Sequence, residues 1–127
     1  MINMSEPETS KRTYNLQERT AKFGESIIIF TQSLPNTATV RPLHLQLVRS
    51  GTSIGANYCE AVDAESSRDF IHKVGICKKE ANETKYWLRM ISIAIPTKKD
   101  ETEKLWKEAQ ELNLIFQKSI STAKSKL

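Results

Sequence analysis

Apolar positions recur at steps of three and four along most of the chain, the period of helices that each bury one face. In the first segment Leu16, Thr20, Phe23, Ile27, Phe30 and Leu34 form such a stripe, which predicts a helix over 15–34 that Pro35 and Asn36 stop. Pro42 suits the first turn of a second helix over 42–64, with Leu43, Leu47, Ser50 or Gly51, Ile54, Tyr58 and Ala61 facing inward. Ser66 with Asp69 three residues on reads as a helix cap and opens a third helix, 67–95, whose seam is Phe70, Val74, Cys77, Ala81, Thr84, Leu88 and Ile91. Ile95-Pro96 breaks it, a polar turn follows, and Leu105, Ala109, Leu112, Phe116 and Ile120 mark a fourth helix over 99–123. Residues 1–14 lack the pattern and are expected to form a flexible tail.

Four amphipathic helices with short connections predict an all-α, antiparallel up-down-up-down four-helix bundle over 15–124. The run Ile27-Ile28-Ile29-Phe30 has strand-like composition, but the helical stripe passes through it in phase. Ile28 and Ile29 fall off that stripe, so helix 1 carries either a broad core face or an apolar surface for a second subunit. With 127 residues, 39% hydrophobic, and only 4 Gly and 4 Pro, the chain fits one turn-poor domain. A domain of that size can bury a core without a metal or disulfides, and no cofactor is expected. The absence of a long apolar run points to a soluble, cytoplasmic protein with no membrane partner.

The second helix departs from ordinary propensity in QLVRSGTSIGANYCEA, positions 46–61, where small and polar residues crowd the pattern. Gly51 and Gly55 lie four apart and so share a face, and each costs up to ~1 kcal/mol relative to Ala, which close approach of another helix would offset. Gln46, Ser50, Ser53, Asn57 and Glu60 run beside them as a polar stripe. On the third helix Glu80, Glu83 and Trp87 flank one side of the seam, while Lys78, Lys85 and Arg89 flank the other around Asn82. With helices 2 and 3 antiparallel around a turn near Glu65, Ser50 falls level with Glu80, and Arg49, Ser50 and Ser53 are expected to meet Glu80 in a network that sets the register. The alternative is a set of solvated side chains that never touch.

LQERTAKF (16–23), SLP (33–35), QLVRSGTSIGANYCEA and SSRDFIHKVGICKKEANETKYWL (66–88) together resemble the four-helix-bundle proteins encoded in intervening sequences of bacterial 23S ribosomal RNA genes, also labelled S23 ribosomal proteins. The likeness covers roughly 16–120, dense to Leu88 and carried by pattern alone in helix 4. It implies a bundle that assembles into a homopentameric ring, related to accessory proteins of diversity-generating retroelements that bind nucleic acid together with a reverse transcriptase. It implies no catalytic residues. The signature positions that match are Arg49, Ser50, Gly51, Ser53, Ile54, Gly55, Asn57, Glu60, Ala61, Phe70, Glu80, Glu83, Trp87 and Leu88.

Charge then narrows the partner. Residues 1–63 carry six basic and six acidic side chains, so the whole net charge of +4 lies in the second half. Lys78, Lys85 and Arg89 share a helix face, and Lys98, Lys99, Lys104 and Lys107 cluster around the next turn, diluted by Asp100, Glu101 and Glu103. A ring would repeat such a patch, and the expectation is a non-enzymatic protein that binds RNA or DNA there. The other reading is a scaffold or accessory subunit that contacts protein only, with Tyr86, Trp87 and Trp106 as anchors.

Enzyme chemistry finds little support. The chain has no Glu-x-x-His, only Asp69-Phe70-Ile71-His72, and Cys59 and Cys77 lack further Cys or His at ligand spacing, which argues against di-metal and zinc sites. Ser50 and Ser53 have no neighbouring base, and SGTSIG lacks the Lys of a phosphate loop.

Overall fold

A computed structural model of the chain describes the backbone from Lys11 and the side chains from Leu16, both through Leu127. Four helices make up the described residues, with no strand among them: α1 (Lys11–Gln32), α2 (Val40–Val62), α3 (Ser67–Ala94) and α4 (Lys99–Ser125), the last preceded by a short 3-10 turn at Pro96–Lys98. The expected tail over 1–14 falls largely on residues outside those described.

Helix ends differ from the sequence expectation by one to a few residues, for reasons of local chemistry. α1 starts at Lys11, before the expected residue 15, and stops at Gln32 because the residue before Pro35 disfavours helical backbone. Tight bonds from Ser33 N to Phe30 O and from Leu34 N to Thr31 O, each 3.1 Å, wind up its end. α2 starts at Val40, two residues before the expected Pro42, with Thr37 acting as its cap: the Thr37 hydroxyl accepts from Val40 N at 3.2 Å and its carbonyl from Arg41 N at 3.0 Å. Pro42 is still within the first turn, where its missing N–H leaves no acceptor stranded. α2 ends at Val62, short of 64, and α3 at Ala94, short of 95. Ser66 caps α3 as expected, its Oγ accepting from Asp69 N at 3.0 Å. α4 runs two residues beyond 123, to Ser125.

The core follows the seams. Phe23, Ile27 and Phe30 of α1, Leu47, Ile54, Tyr58 and Ala61 of α2, Val74, Cys77, Ala81, Leu88 and Ile91 of α3, and Ala109, Leu112, Phe116 and Ile120 of α4 form one buried cluster, with Leu16, Leu34, Leu43, Phe70 and Leu105 packed at its edges. Tyr58 and Phe116 meet at a centroid distance of 6.1 Å. Helix 2 lies between α1 and α3, and α3 between α2 and α4, whereas α1 and α4 touch sparingly.

Where α1 crosses α2, glycine sets the separation. A Cβ on Gly51 would sit 2.9 Å from Ile27 Cγ1 and 3.2 Å from Ile27 Cβ, and one on Gly55 would sit 3.3 Å from the Thr20 backbone carbonyl. Both glycines therefore face the same neighbour at van der Waals limit, the close approach their four-residue spacing predicts.

Candidate nucleic-acid interface

α3 is the element that organises the polar chemistry, because its two flanks carry opposite charge. On the flank toward α2, Arg49 Nη1 lies 3.2 Å from Glu80 Oε2, Arg49 Nη2 pairs with Glu83, and Arg49 Nε donates to Gln46 Oε1 at 3.1 Å. Lower on the same flank Lys73 Nζ meets Glu60 Oε1 at 2.9 Å, a contact that raises the Lys73 pKa through the hydrogen bond to that carboxylate. Acidic residues of this flank are thus neutralised within the molecule.

Two members of the expected network sit elsewhere. Ser50 is fully buried and level with Thr84, one turn beyond Glu80: the hydroxyls are 3.0 Å apart, with Thr84 Oγ1 also 2.8 Å from Glu80 O and Ser50 Oγ 3.4 Å from Leu47 O. Each hydroxyl proton therefore has an acceptor, as burial requires. Ser53 turns back on its own helix, donating to Arg49 O at 2.6 Å, and Asn57 donates to Ser53 O at 2.8 Å. The offset arises because the α2–α3 turn centres up to two residues later than Glu65, as the Glu60–Lys73, Ile54–Cys77 and Ser50–Thr84 contacts together show. Trp87 packs at the core edge, its indole N–H buried without an acceptor, and its ring meets Tyr86 edge-on at 5.0 Å.

The opposite flank of α3 faces α4 and is basic. Lys78 Nζ donates to Gln117 Oε1 at 2.6 Å, Lys85 Nζ donates to Gln110 Oε1, and Asn113, itself buried, donates from Nδ2 to Lys78 O at 3.2 Å. Lys85 Nζ also stands over the Trp106 ring, 4.9 Å from its centroid. Partners of Lys78 and Lys85 are neutral amides, so no carboxylate competes with an incoming anion for either lysine, and Arg89 continues the row exposed at the surface. The remaining candidates divide. Lys98 pairs with Glu101 at 3.4 Å and Lys99 with Glu103 at 4.0 Å, while Lys104 and Lys107 are exposed on α4. The structure thus sets Lys78, Lys85 and Arg89 along one flank of α3, with Lys85 over the Trp106 ring and Arg89 at the same cleft as Trp106, and ties Lys98 and Lys99 to carboxylates on their own turn.

Sequence reasoning missed Arg19. Its guanidinium grips Glu108 with two bonds of 2.7 Å, reaches Glu111 at 3.5 Å, and is the polar link across the sparse α1–α4 edge. The hydrogen bond to Glu108 raises its pKa further above the ordinary arginine value. No local pattern in LQERTAKF marks this contact, since its partner lies 89 residues away.

Beside that edge, at the end of the bundle, opens a groove of about 1090 Å³ lined by Leu16, Tyr58, Val62, Phe70 and Ile115. Two polar groups on its rim are already engaged, Arg19 on Glu108 and Ser66 on Asp69. Among the described residues no three His, Cys, Asp or Glu side chains gather as metal ligands, and no helix is long and apolar enough to cross a membrane. Cys59 is exposed and Cys77 buried, both free thiols.

The model of the 23S rRNA-intervening sequence proteins matches residues 12–118. The chain belongs to that family. A solved relative agrees: the crystal structure of a protein of unknown function from the S23 ribosomal protein family of Bacteroides thetaiotaomicron is 34% identical, superposes with a TM-score of 0.76, and covers 83% of this chain and 97% of its own. No curated protein matches. Family membership and the shared fold leave the biochemical role to be argued from the residues.

Proposed function

We propose that this member of the 23S rRNA-intervening sequence family is a non-enzymatic cytoplasmic protein, an antiparallel up-down-up-down bundle that assembles into a homopentameric ring and binds RNA or DNA along α3 and α4. The carrying observation is the row Lys78, Lys85 and Arg89, whose two lysines are positioned by neutral glutamines and not by carboxylates. A cation fixed by an amide retains its charge for a phosphate, whereas the pairs at Lys98 and Lys99 compete with one.

Contact order supports the antiparallel reading: as α2 is followed from Ser50 through Ile54 to Glu60, its partners on α3 run backward from Thr84 through Cys77 to Lys73. Exposed Ile28, Ile29 and Leu45, at 41%, 68% and 69%, supply apolar surface for self-association outside the core. A ring repeats the basic row once per subunit, so a modest charge per chain gives a strong combined field.

Fluorescence anisotropy with labelled RNA and DNA tests the proposal. Binding at low salt that weakens at moderate salt is expected; no binding at either salt by the intact oligomer overturns it. Exposed Tyr86 and Ile93 favour a second reading, a scaffold or accessory subunit that docks on protein such as a reverse transcriptase. That reading predicts a flat anisotropy trace.

A further inference from the structure

We infer that the cleft between α3 and α4 beside Trp106 receives an unpaired nucleobase, so that this face selects single-stranded over duplex nucleic acid. The inference rests on the nucleic-acid reading above and specifies the form of nucleic acid that the face takes.

The cleft, about 220 Å³, is lined by Leu88, Arg89 and Ser92 of α3 and by Thr102, Glu103 and Trp106 of α4. Its chemistry is that of a base and not of a phosphate. Trp106, 39% exposed, provides flat apolar surface, and the fully buried Leu88 closes the cleft behind it. Glu103, whose Oε1 lies 4.0 Å from Lys99 Nζ and so makes no hydrogen bond to it, places a carboxylate at the lining, which disfavours a phosphate but accepts hydrogen bonds from the amino group of a base. Arg89 sits at the same cleft and donates either to a base acceptor or to the phosphate alongside. Lys85 is held over the Trp106 ring but does not line the cleft, so the cation braces the indole without filling the space.

The phosphates then have their own track. Lys78, Lys85 and Arg89 follow one flank of α3 at spacings of seven and four residues, so they succeed one another along the helix up to the cleft, which Arg89 lines. Tyr86, 53% exposed and three residues before Arg89, is the next exposed aromatic on α3, its ring steadied by Trp87. A cation row that leads to an exposed indole matches a strand whose bases are free to stack. In a duplex the base faces are covered by their neighbours, and a tryptophan wedged between two packed helices cannot open that stack.

The chain has two tryptophans, so Trp87→Phe leaves Trp106 as the single indole reporter. In that background, oligo(dC) is expected to quench Trp106 fluorescence and to bind more tightly than a duplex of equal length. Trp106→Ala should weaken single-strand binding by about five- to 150-fold, the span of one lost base stack, and leave duplex binding unchanged. Trp106→Phe, which preserves the platform and guards against a folding defect in the alanine variant, should restore most of the loss. Equal affinity for both forms without quenching overturns the base cleft while the basic-face reading stands. Binding to neither form overturns both.

Discussion

Gly51 and Gly75 are both interior helix glycines, yet they should respond in opposite directions to the same added methyl. A Cβ at Gly51 meets Ile27 at 2.9 Å, and the neighbour is β-branched and buried, so it has no free rotamer into which to retreat. Gly51→Ala should therefore lose roughly 1–2 kcal/mol, overpacking outweighing the gain in helix propensity. A Cβ at Gly75 meets nothing within 4 Å, and Gly75→Ala should gain up to about 1 kcal/mol. Urea denaturation of the two variants measures both; equal signs would contradict the close α1–α2 crossing. The pairing of Gly51 with Gly55 was legible in their spacing, but the vacancy beside Gly75 was not, because nothing in a sequence distinguishes a crowded glycine from an open one. Burial likewise separates the cysteines. Desolvation pushes the Cys77 thiol up from 9.0 to about 12, and Tyr58 is raised for the same reason. Both groups resist ionising when folded, so their contribution to stability is intact below pH 9 and declines as pH climbs from 9.0 toward 12, where the unfolded chain sheds the Cys77 proton first. A thiol reagent at pH 8 should label one cysteine per native chain, Cys59, and two after unfolding. Rapid labelling of both in the native state would contradict the burial of Cys77.

Among elements, the helix pairs differ in how they are held. α1 and α2 join through glycine contact, α2 and α3 through Arg49 with Glu80 and Glu83, α3 and α4 through Lys78 and Lys85 on glutamines, and α1 and α4 through Arg19 with Glu108. The Arg49 guanidinium is 46% exposed, so its energy is screened and its role is to favour one register over others. A double-mutant cycle of Arg49→Ala and Glu80→Ala should give a coupling of about 0.3–1 kcal/mol that shrinks with added salt. Zero coupling at low salt would mean that the two residues merely lie close. The seams of α2 and α3 were readable nearly residue by residue, since each buried apolar position recurs at the helical period and the Ser66 cap marks the α3 start. What was not readable depends on distant chemistry. Thr102 and Asn113 are buried on α4 despite their polarity, because Lys99 O and Lys78 O accept their hydrogens, and a period count scores neither as core. Ser50 slipped by a turn from its expected level, from Glu80 to Thr84, because a shift of up to two residues in the connecting turn moves a partner by up to four, while the long Arg49 side chain still reaches Glu80.

At the scale of the whole molecule, charge segregation across α3 organises the account. The α2 side closes its acids on Arg49 and Lys73, and the α4 side leaves Lys78, Lys85 and Arg89 with no carboxylate partner among the described residues. The sequence placed those three cations on one face, but it also grouped Lys98 and Lys99 with them, and only tertiary contacts separate free charge from charge already spent on Glu101 and Glu103. The central claim is that this row meets phosphate. Its most direct test is the salt dependence of anisotropy for labelled single-stranded RNA, measured for the wild type and for the combined Lys78→Ala, Lys85→Ala and Arg89→Ala variant. The account predicts log-affinity falling linearly with log salt for the wild type, with the slope shallower by about 2 in the variant if all three cations engage. Identical slopes and affinities for the two proteins would contradict it.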